Sequence, residues 1–208
     1  ADGLLGELTP GQRESAEIAL RNANRLSGLV ERLLDFSRIE SGAWKLVRRR
    51  YDLRRSLEEV ISATREGRKE GEIHIEAVPP AGPIEAEADR EAIEQVLVNL
   101  VVNALGFARR MVVVRLEAAG DEDARFTVED DGPGVPEGEI DRIFHPFARA
   151  GAGRHRGGAG LGLSIARGIV EAHQGFIWCE NRSLAEGGGA RFTFVVPRIA
   201  RDNSTVNP

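Results

Sequence analysis

The chain has 208 residues, is 41% hydrophobic and 29% charged, and carries a formal net charge of −5. This composition fits a globular domain with one core and an appendage. It argues against the concentrated positive charge of a nucleic-acid footprint, and no run approaches the roughly 18 apolar residues of a membrane span. Cys179 is the only cysteine, which excludes an intrachain disulfide or a cysteine-based zinc site and suits a reducing cytoplasm.

The start, "ADGLLGELTP", has neither the basic nor the long apolar region of a signal peptide. Thr9, Pro10 and Gln12 then read as the N-cap, first-turn proline and capping-box partner of a long helix. Ala19, Ala23, Leu26, Val30 and Leu33 alternate spacings of four and three, widened by Leu29 and Phe36. That seam belongs to a helix that packs in a bundle, and the helix is expected to end near Ser41-Gly42.

From Trp44 strands and helices interleave. "WKLVRRRYDL" reads as a strand, "RRSLEEVISATRE" as a helix, and "EIHIEAV" as a strand with Ile73 and Ile75 on one face before "PPAGP" breaks the chain. After Asp89, "REAIEQVLVNLVVNALGFA" is a strongly apolar helix with Ile93, Val96, Leu97, Leu100, Val101 and Ala104 on its core face. "MVVVRLEAAG" and "ARFTVED" are strands joined by a short acidic turn, and "FIWCENR" and "ARFTFVVP" follow a glycine-rich turn and helix. The pattern predicts an α/β chain of α+β type: a two-layer sandwich with a mixed, mostly antiparallel sheet, preceded by one long bundle-type helix. The expected units are residues 1–43, 44–198 and a disordered tail, 199–208.

Polar residues inside this apolar pattern carry the chemistry. Asn99 and Asn103 lie four apart, hence on one face of their helix; they either bond backbone or, for Asn103, offer an amide oxygen to a hard cation such as magnesium. Asp130 ends a strand before Gly132 and Gly134; it is either an ordinary turn residue or an acceptor for an exocyclic amine such as that of adenine. "GGAGLG", residues 157–162, is either a flexible surface loop or a set of backbone amides at a helix start that cradles phosphate.

The order of these pieces, an asparagine helix, "DDGPG", "IFHPFARA", "GGAGLGL" and "GGGARFTFVVP", resembles the catalytic ATP-binding domain of sensor histidine kinases. That domain has the Bergerat fold shared with gyrase-type ATPases. "RLSGLVERLLDFSRIESG" in turn resembles the second helix of that family's dimerisation and phosphotransfer domain. The resemblance implies binding of ATP with Mg2+, with Asn103 on the metal and Asp130 on the adenine amine. Gly132 and Gly134 would shape the adenine pocket. Asn99 and Phe107 belong to the asparagine box, and Phe144 and Phe147 to a phenylalanine box anchoring a lid at 148–157. Gly158, Gly160, Leu161, Gly162 and Leu163 would close on the phosphates, and Gly187, Gly188 and Gly189 would form a structural turn. It also implies a homodimer through the helical bundle, a response regulator receiver domain as partner, and a cytoplasmic module whose parent is either soluble or anchored in the inner membrane. No nucleic-acid or membrane contact is expected of this stretch.

The sequence departs from the family pattern at two places. The basic residue expected three positions after Asn103 is replaced by Gly106, which leaves Arg149, Arg154 and Arg156 of the lid as candidates to neutralise phosphate charge. None of His74, His145, His155 and His173 has the context of the family's phosphorylated histidine, so the acceptor is expected outside the chain, and His145 and His173 are expected to be surface or cap residues. Asn99 has no useful protonation state as a base for water, which favours phosphotransfer over hydrolysis. A gyrase- or mismatch-repair-like ATPase and a nucleotide-sensing pseudokinase module stand as alternatives.

Overall fold

The computed structural model describes residues 8–66, 73–148 and 160–198. The first helix, α1 (Pro10–Glu40), begins as its capping box predicts: the Gln12 N–H donates to the Thr9 hydroxyl, and the Thr9 N–H donates to the Gln12 side chain. It stops at Ser41, followed by Gly42 at φ +67. Most of its stripe is bare, with Leu26, Val30 and Leu33 62%, 56% and 51% exposed. Among the described residues, its last turns are what meets the core, where Phe36 and Ile39 pack against it.

The remainder is a two-layer sandwich. One layer is a five-stranded sheet of β2 (His74–Val78), β4 (Met111–Ala119), β5 (Asp123–Asp130), β6 (Phe176–Asn181) and β7 (Ala190–Pro197), in the order β2-β4-β5-β7-β6. β2 runs parallel to β4 and the other pairs are antiparallel, giving the mixed sheet expected. The second layer holds α2 (Arg54–Arg65), α3 (Arg90–Phe107) and α4 (Gly162–Ala172). β1 (Arg49–Asp52) and β3 (Glu85–Ala88) form a separate antiparallel pair. One expectation is corrected here, and one strand, β3, has no counterpart in the sequence reading. "WKLVRRRYDL" is strand only over Arg49–Asp52, because β3, its sole partner, is four residues long. β3 itself, "EAEA", lacks the β-branched and aromatic residues that mark strands.

The core lies between the layers. Ile93, Val96, Leu97, Leu100, Val101 and Ala104 of α3 are all completely buried. They face the alternating inward residues of the sheet, among which Phe126 and Phe194 stack with centroids 4.8 Å apart. On β5 the inward set Ala124, Phe126, Val128 continues to Asp130. The period of two thus carries a carboxylate into a position where the pattern calls for an apolar side chain.

Candidate functional site

Asp130 is 3% exposed. Its Oδ1 accepts from the Gly132 N–H at 2.8 Å and the Ala190 N–H at 3.4 Å. Among the described residues no donor is bonded to Oδ2. Burial pushes its pKa up, against the pull of the two backbone bonds and of Arg182. A buried carboxylate with one free oxygen is suited to accept from a neutral amine donor.

The turn after Asp130 is tightly enclosed. A Cβ on Gly132 would lie 2.6 Å from the Phe107 carbonyl oxygen and 2.7 Å from Asp130 Oδ1. Gly134 has φ +79, and its Cβ would lie 2.6 Å from Asn181 Oδ1. Both glycines are therefore required by close approach. Asp131 points the other way and caps the start of β4. Burial would raise its pKa, but N–H groups of Arg110, Met111 and Arg109 on its carboxylate outweigh that and lower it.

The same helix reaches the glycine-rich turn. Asn99 and Asn103 are both half-buried on α3, and Gly162, first residue of α4, has its Cβ position 3.3 Å from Asn99 Oδ1. Asn99 Nδ2 is buried without a hydrogen-bond partner, an uncompensated donor that calls for an acceptor. From Asn99 to Phe107 is a little over two helical turns, about 12 Å at 1.5 Å per residue. α3 therefore links the two regions, with Phe107 at the turn after Asp130, Asn99 at the glycine turn and Asn103 midway between them.

Phe144 is buried and meets Phe192 edge-on, centroids 6.3 Å apart. Phe147 is 62% exposed, adopts φ +60, and meets Phe36 of α1 edge-on at 6.3 Å. Its N–H donates to the Gly160 carbonyl at 2.9 Å, and Gly160, at φ +72, leaves no room for a Cβ. Leu161 is buried and Leu163 half-buried, at the start of α4. Arg149, Arg154, Arg156, Gly158 and most of the expected lid lie outside the described residues.

Gly187, Gly188 and Gly189 have φ +95, +68 and +92, as a turn requires. Gly189 does more: a Cβ there would fall 1.9 Å from the Asp130 carbonyl oxygen. Asn181 and Asp131 also shape the site and have no local sequence signal, since their partners lie 46 and 20 to 22 positions away; Arg182 joins Asp130, 52 positions away, to the nearby carbonyls of Glu186 and Gly188. His173 is the C-cap of α4, one of the two roles expected of it, and it is not at the surface. It is 3% exposed, and Nε2 accepts from the Asp89 N–H at 3.1 Å. Nδ1 therefore carries the proton and bonds the Ile169 carbonyl at 2.8 Å, tying the end of α4 to the start of α3. His145 is exposed, as expected.

The site thus has a buried carboxylate at one end of the sheet and paired asparagines along one helix. Residues 88–200 match the family described as histidine kinase-, DNA gyrase B- and HSP90-like ATPase, and residues 1–42 match the His kinase A phospho-acceptor domain. The chain is 32% identical over 181 residues to the histidine protein kinase DivJ of Caulobacter vibrioides, covering 86% of this chain and 30% of that protein. It is 34% identical over 199 residues to the sensor protein KdpD of Escherichia coli, covering 94% of this chain and 21% of that one. Full-length ShkA in complex with AMPPNP superposes with a TM-score of 0.77 at 31% identity, over 94% of this chain and 40% of ShkA. The catalytic domain of histidine kinase ThkA superposes with a TM-score of 0.62 at 30% identity, over 74% of this chain and 99% of that domain. The chain belongs to the histidine kinase-, DNA gyrase B- and HSP90-like ATPase family, in its sensor histidine kinase branch.

Proposed function

We propose that this chain binds ATP and delivers its γ-phosphate to a histidine outside the chain, for relay to a response regulator receiver domain. The observation that carries the nucleotide reading is Asp130: a buried carboxylate with a free Oδ2 at the end of β5, suited to the exocyclic amine of adenine. Gly132 and Gly134 let the turn fold tightly against Asp130, the Phe107 carbonyl and Asn181, which fixes the border of the adenine site. Two turns back along α3 from Phe107, the unpartnered Asn99 Nδ2 is a donor for a phosphate oxygen. The backbone at Gly160, Leu161, Gly162 and Leu163 follows at the start of α4, where amides and the helix dipole favour anions.

Asn103 fits a magnesium ion, because its half-buried amide makes no side-chain bond to another described residue and supplies the oxygen donor this cation prefers. Magnesium takes most of its ligands from phosphate and water and, when bound, neutralises phosphate charge. The chain's own task is to hold the nucleotide in line for the acceptor, which is largely positioning and charge stabilisation. Asn99 supplies no base for water, so transfer rather than hydrolysis follows. The bare seam of α1, within the phospho-acceptor match, supports a homodimer through a helical bundle. Among the described residues no helix is long and apolar enough to cross a membrane; we place the module in the cytoplasm.

The test is incubation of the chain with γ-labelled ATP and a separately supplied helical hairpin bearing the acceptor histidine. Acid-labile phosphate on the hairpin, and none on the chain, is expected. Brisk steady hydrolysis without transfer would favour the gyrase-like reading, and ATP binding without transfer would favour a pseudokinase.

A further inference from the structure

The end of β6 holds two side chains that the nucleotide reading does not use. Asn181 closes a two-bond clamp on the turn that follows Asp130: its Nδ2 donates to the Val135 carbonyl at 2.7 Å and its Oδ1 accepts from the Val135 N–H at 2.7 Å. The amide thus imitates one more residue of a strand, and it does so against Gly134, whose missing Cβ leaves the space its Oδ1 fills. Arg182, next in the chain, works from the other side. Its Nη1 donates to the carbonyls of Asp130 at 3.2 Å and Gly188 at 3.1 Å, and its Nη2 donates to the Glu186 carbonyl. This guanidinium is only 13% exposed and faces Glu129, 3.7 Å away and equally buried. It draws the triple-glycine turn onto the Asp130 backbone, which Gly189 permits by having no Cβ.

We propose that Asn181 and Arg182 are positioning residues for adenine selection. Asn181 fixes the Gly132–Val135 turn and Arg182 fixes the Asp130 main chain, so that Oδ2 stands at a set height in the pocket. Neither touches the nucleotide. A loosened turn lets the carboxylate swing or take up water, and a hydrogen bond to the base amine depends steeply on geometry. Contacts to the phosphates, a little over two helical turns away along α3, are unaffected. The proposal rests on the reading of Asp130 as the adenine acceptor, and its consequence is a loss of base discrimination rather than of nucleotide binding as a whole.

The experiment compares ATP with inosine triphosphate, whose base carries an oxo group where adenine has its amine, by titration calorimetry with magnesium. The unmodified chain is expected to favour ATP by about tenfold or more, the scale of a lost charge-assisted hydrogen bond. Asp130→Asn should abolish the preference; if it does not, the adenine reading itself fails. Given that control, Asn181→Ala and Arg182→Leu are each expected to weaken ATP by roughly fivefold to tenfold while leaving inosine triphosphate unchanged. Amide exchange at Val135 should accelerate in Asn181→Ala. Asn181→Ser, which keeps an oxygen near the Val135 N–H, should fall between, and it carries the test if Asn181→Ala does not fold. Equal weakening of both nucleotides, or an intact ATP preference in the Asn181 and Arg182 variants, overturns the proposal.

Discussion

Gly168 of α4 and Ile39 of α1 are in such close contact that a Cβ on the glycine would lie 2.2 Å from the Ile39 Cγ2. Here the bundle helix is seated on the catalytic layer, beside Gln95 Nε2 donating to Asp35 Oδ2 at 2.8 Å. Gly168→Ala should destabilise this seat by about 1–3 kcal/mol, the range for overpacking. In an Ile39→Ala background the obstructing methyl is gone, and Gly168→Ala should become stabilising by up to about 1 kcal/mol through helix propensity. A double-mutant cycle by denaturant unfolding checks the reversal of sign. Purely additive effects would mean that the two helices do not share this contact in solution.

Asp130 is held at a cost to the fold. Its pKa is raised by burial, so ionisation costs more in the folded chain than in the unfolded one, and the stability present below the unfolded value is lost as pH rises through the raised value. Asparagine at this position does not ionise. Asp130→Asn should therefore hold or raise the thermal midpoint while weakening MgATP binding by about tenfold or more. Differential scanning calorimetry and titration calorimetry on the two forms are the measurements. A large fall in midpoint would show that the carboxylate serves the core, and equal affinities would remove it from the pocket.

Much of this was legible in the sequence because its causes are local. The α1 capping box and the core face of α3 each follow from residues within a few positions of one another. So do the positive-φ glycines and the strand alternation that carries Asp130 inward. β3 was missed because "EAEA" is strand only through its pairing with β1. Asn181 bonds a residue 46 positions away and His173 one 84 positions away, and no local pattern encodes such distances. The ambiguity over Asp130, turn residue or amine acceptor, also needed tertiary information, namely which of its oxygens the Gly132 and Ala190 amides occupy.

His173 gives a pH signature. Burial lowers its pKa below the ordinary histidine value, with the Ile169 bond opposing and Arg48 adding to the shift. A lowered native value means that the unfolded chain takes up the proton first. The stability held by neutral His173 is full above the unfolded value of about 6.5 and declines as pH falls from there towards the lowered native value. Asp89 and Arg48 are the charged groups acting on it. His173→Gln should be destabilised by about 1–3 kcal/mol at pH 8, the cost of disturbing two buried hydrogen bonds. Its deficit relative to the unmodified chain should shrink as the pH is lowered through that window. A deficit independent of pH would mean that the imidazole does not remain neutral in the folded state.

Position 106 offers a direct test of how the triphosphate is neutralised. A Cβ on Gly106 would meet nothing within 4 Å, and the residue lies inside α3 without a positive φ, so neither space nor backbone requires glycine. Gly106→Lys should accordingly stabilise the helix by about 0.5–1 kcal/mol. It also restores a cation three residues beyond Asn103, on the side of the helix that leads to the glycine turn. If Arg149, Arg154 and Arg156 supply the missing charge, replacing all three with alanine should cut transfer to a supplied acceptor hairpin by tenfold or more, the usual scale for a lost charge-stabilising group. ADP, which lacks the γ-phosphate, should lose less affinity than ATP. Gly106→Lys in that triple variant should recover part of the rate, because the charge returns from a different element to the same oxygens. Single-turnover transfer with labelled ATP measures all four forms. If the triple alanine variant transfers at the unmodified rate, the arginines are solvated and magnesium with the backbone amides suffices; if Gly106→Lys stabilises the fold but leaves every rate unchanged, position 106 does not face the phosphates.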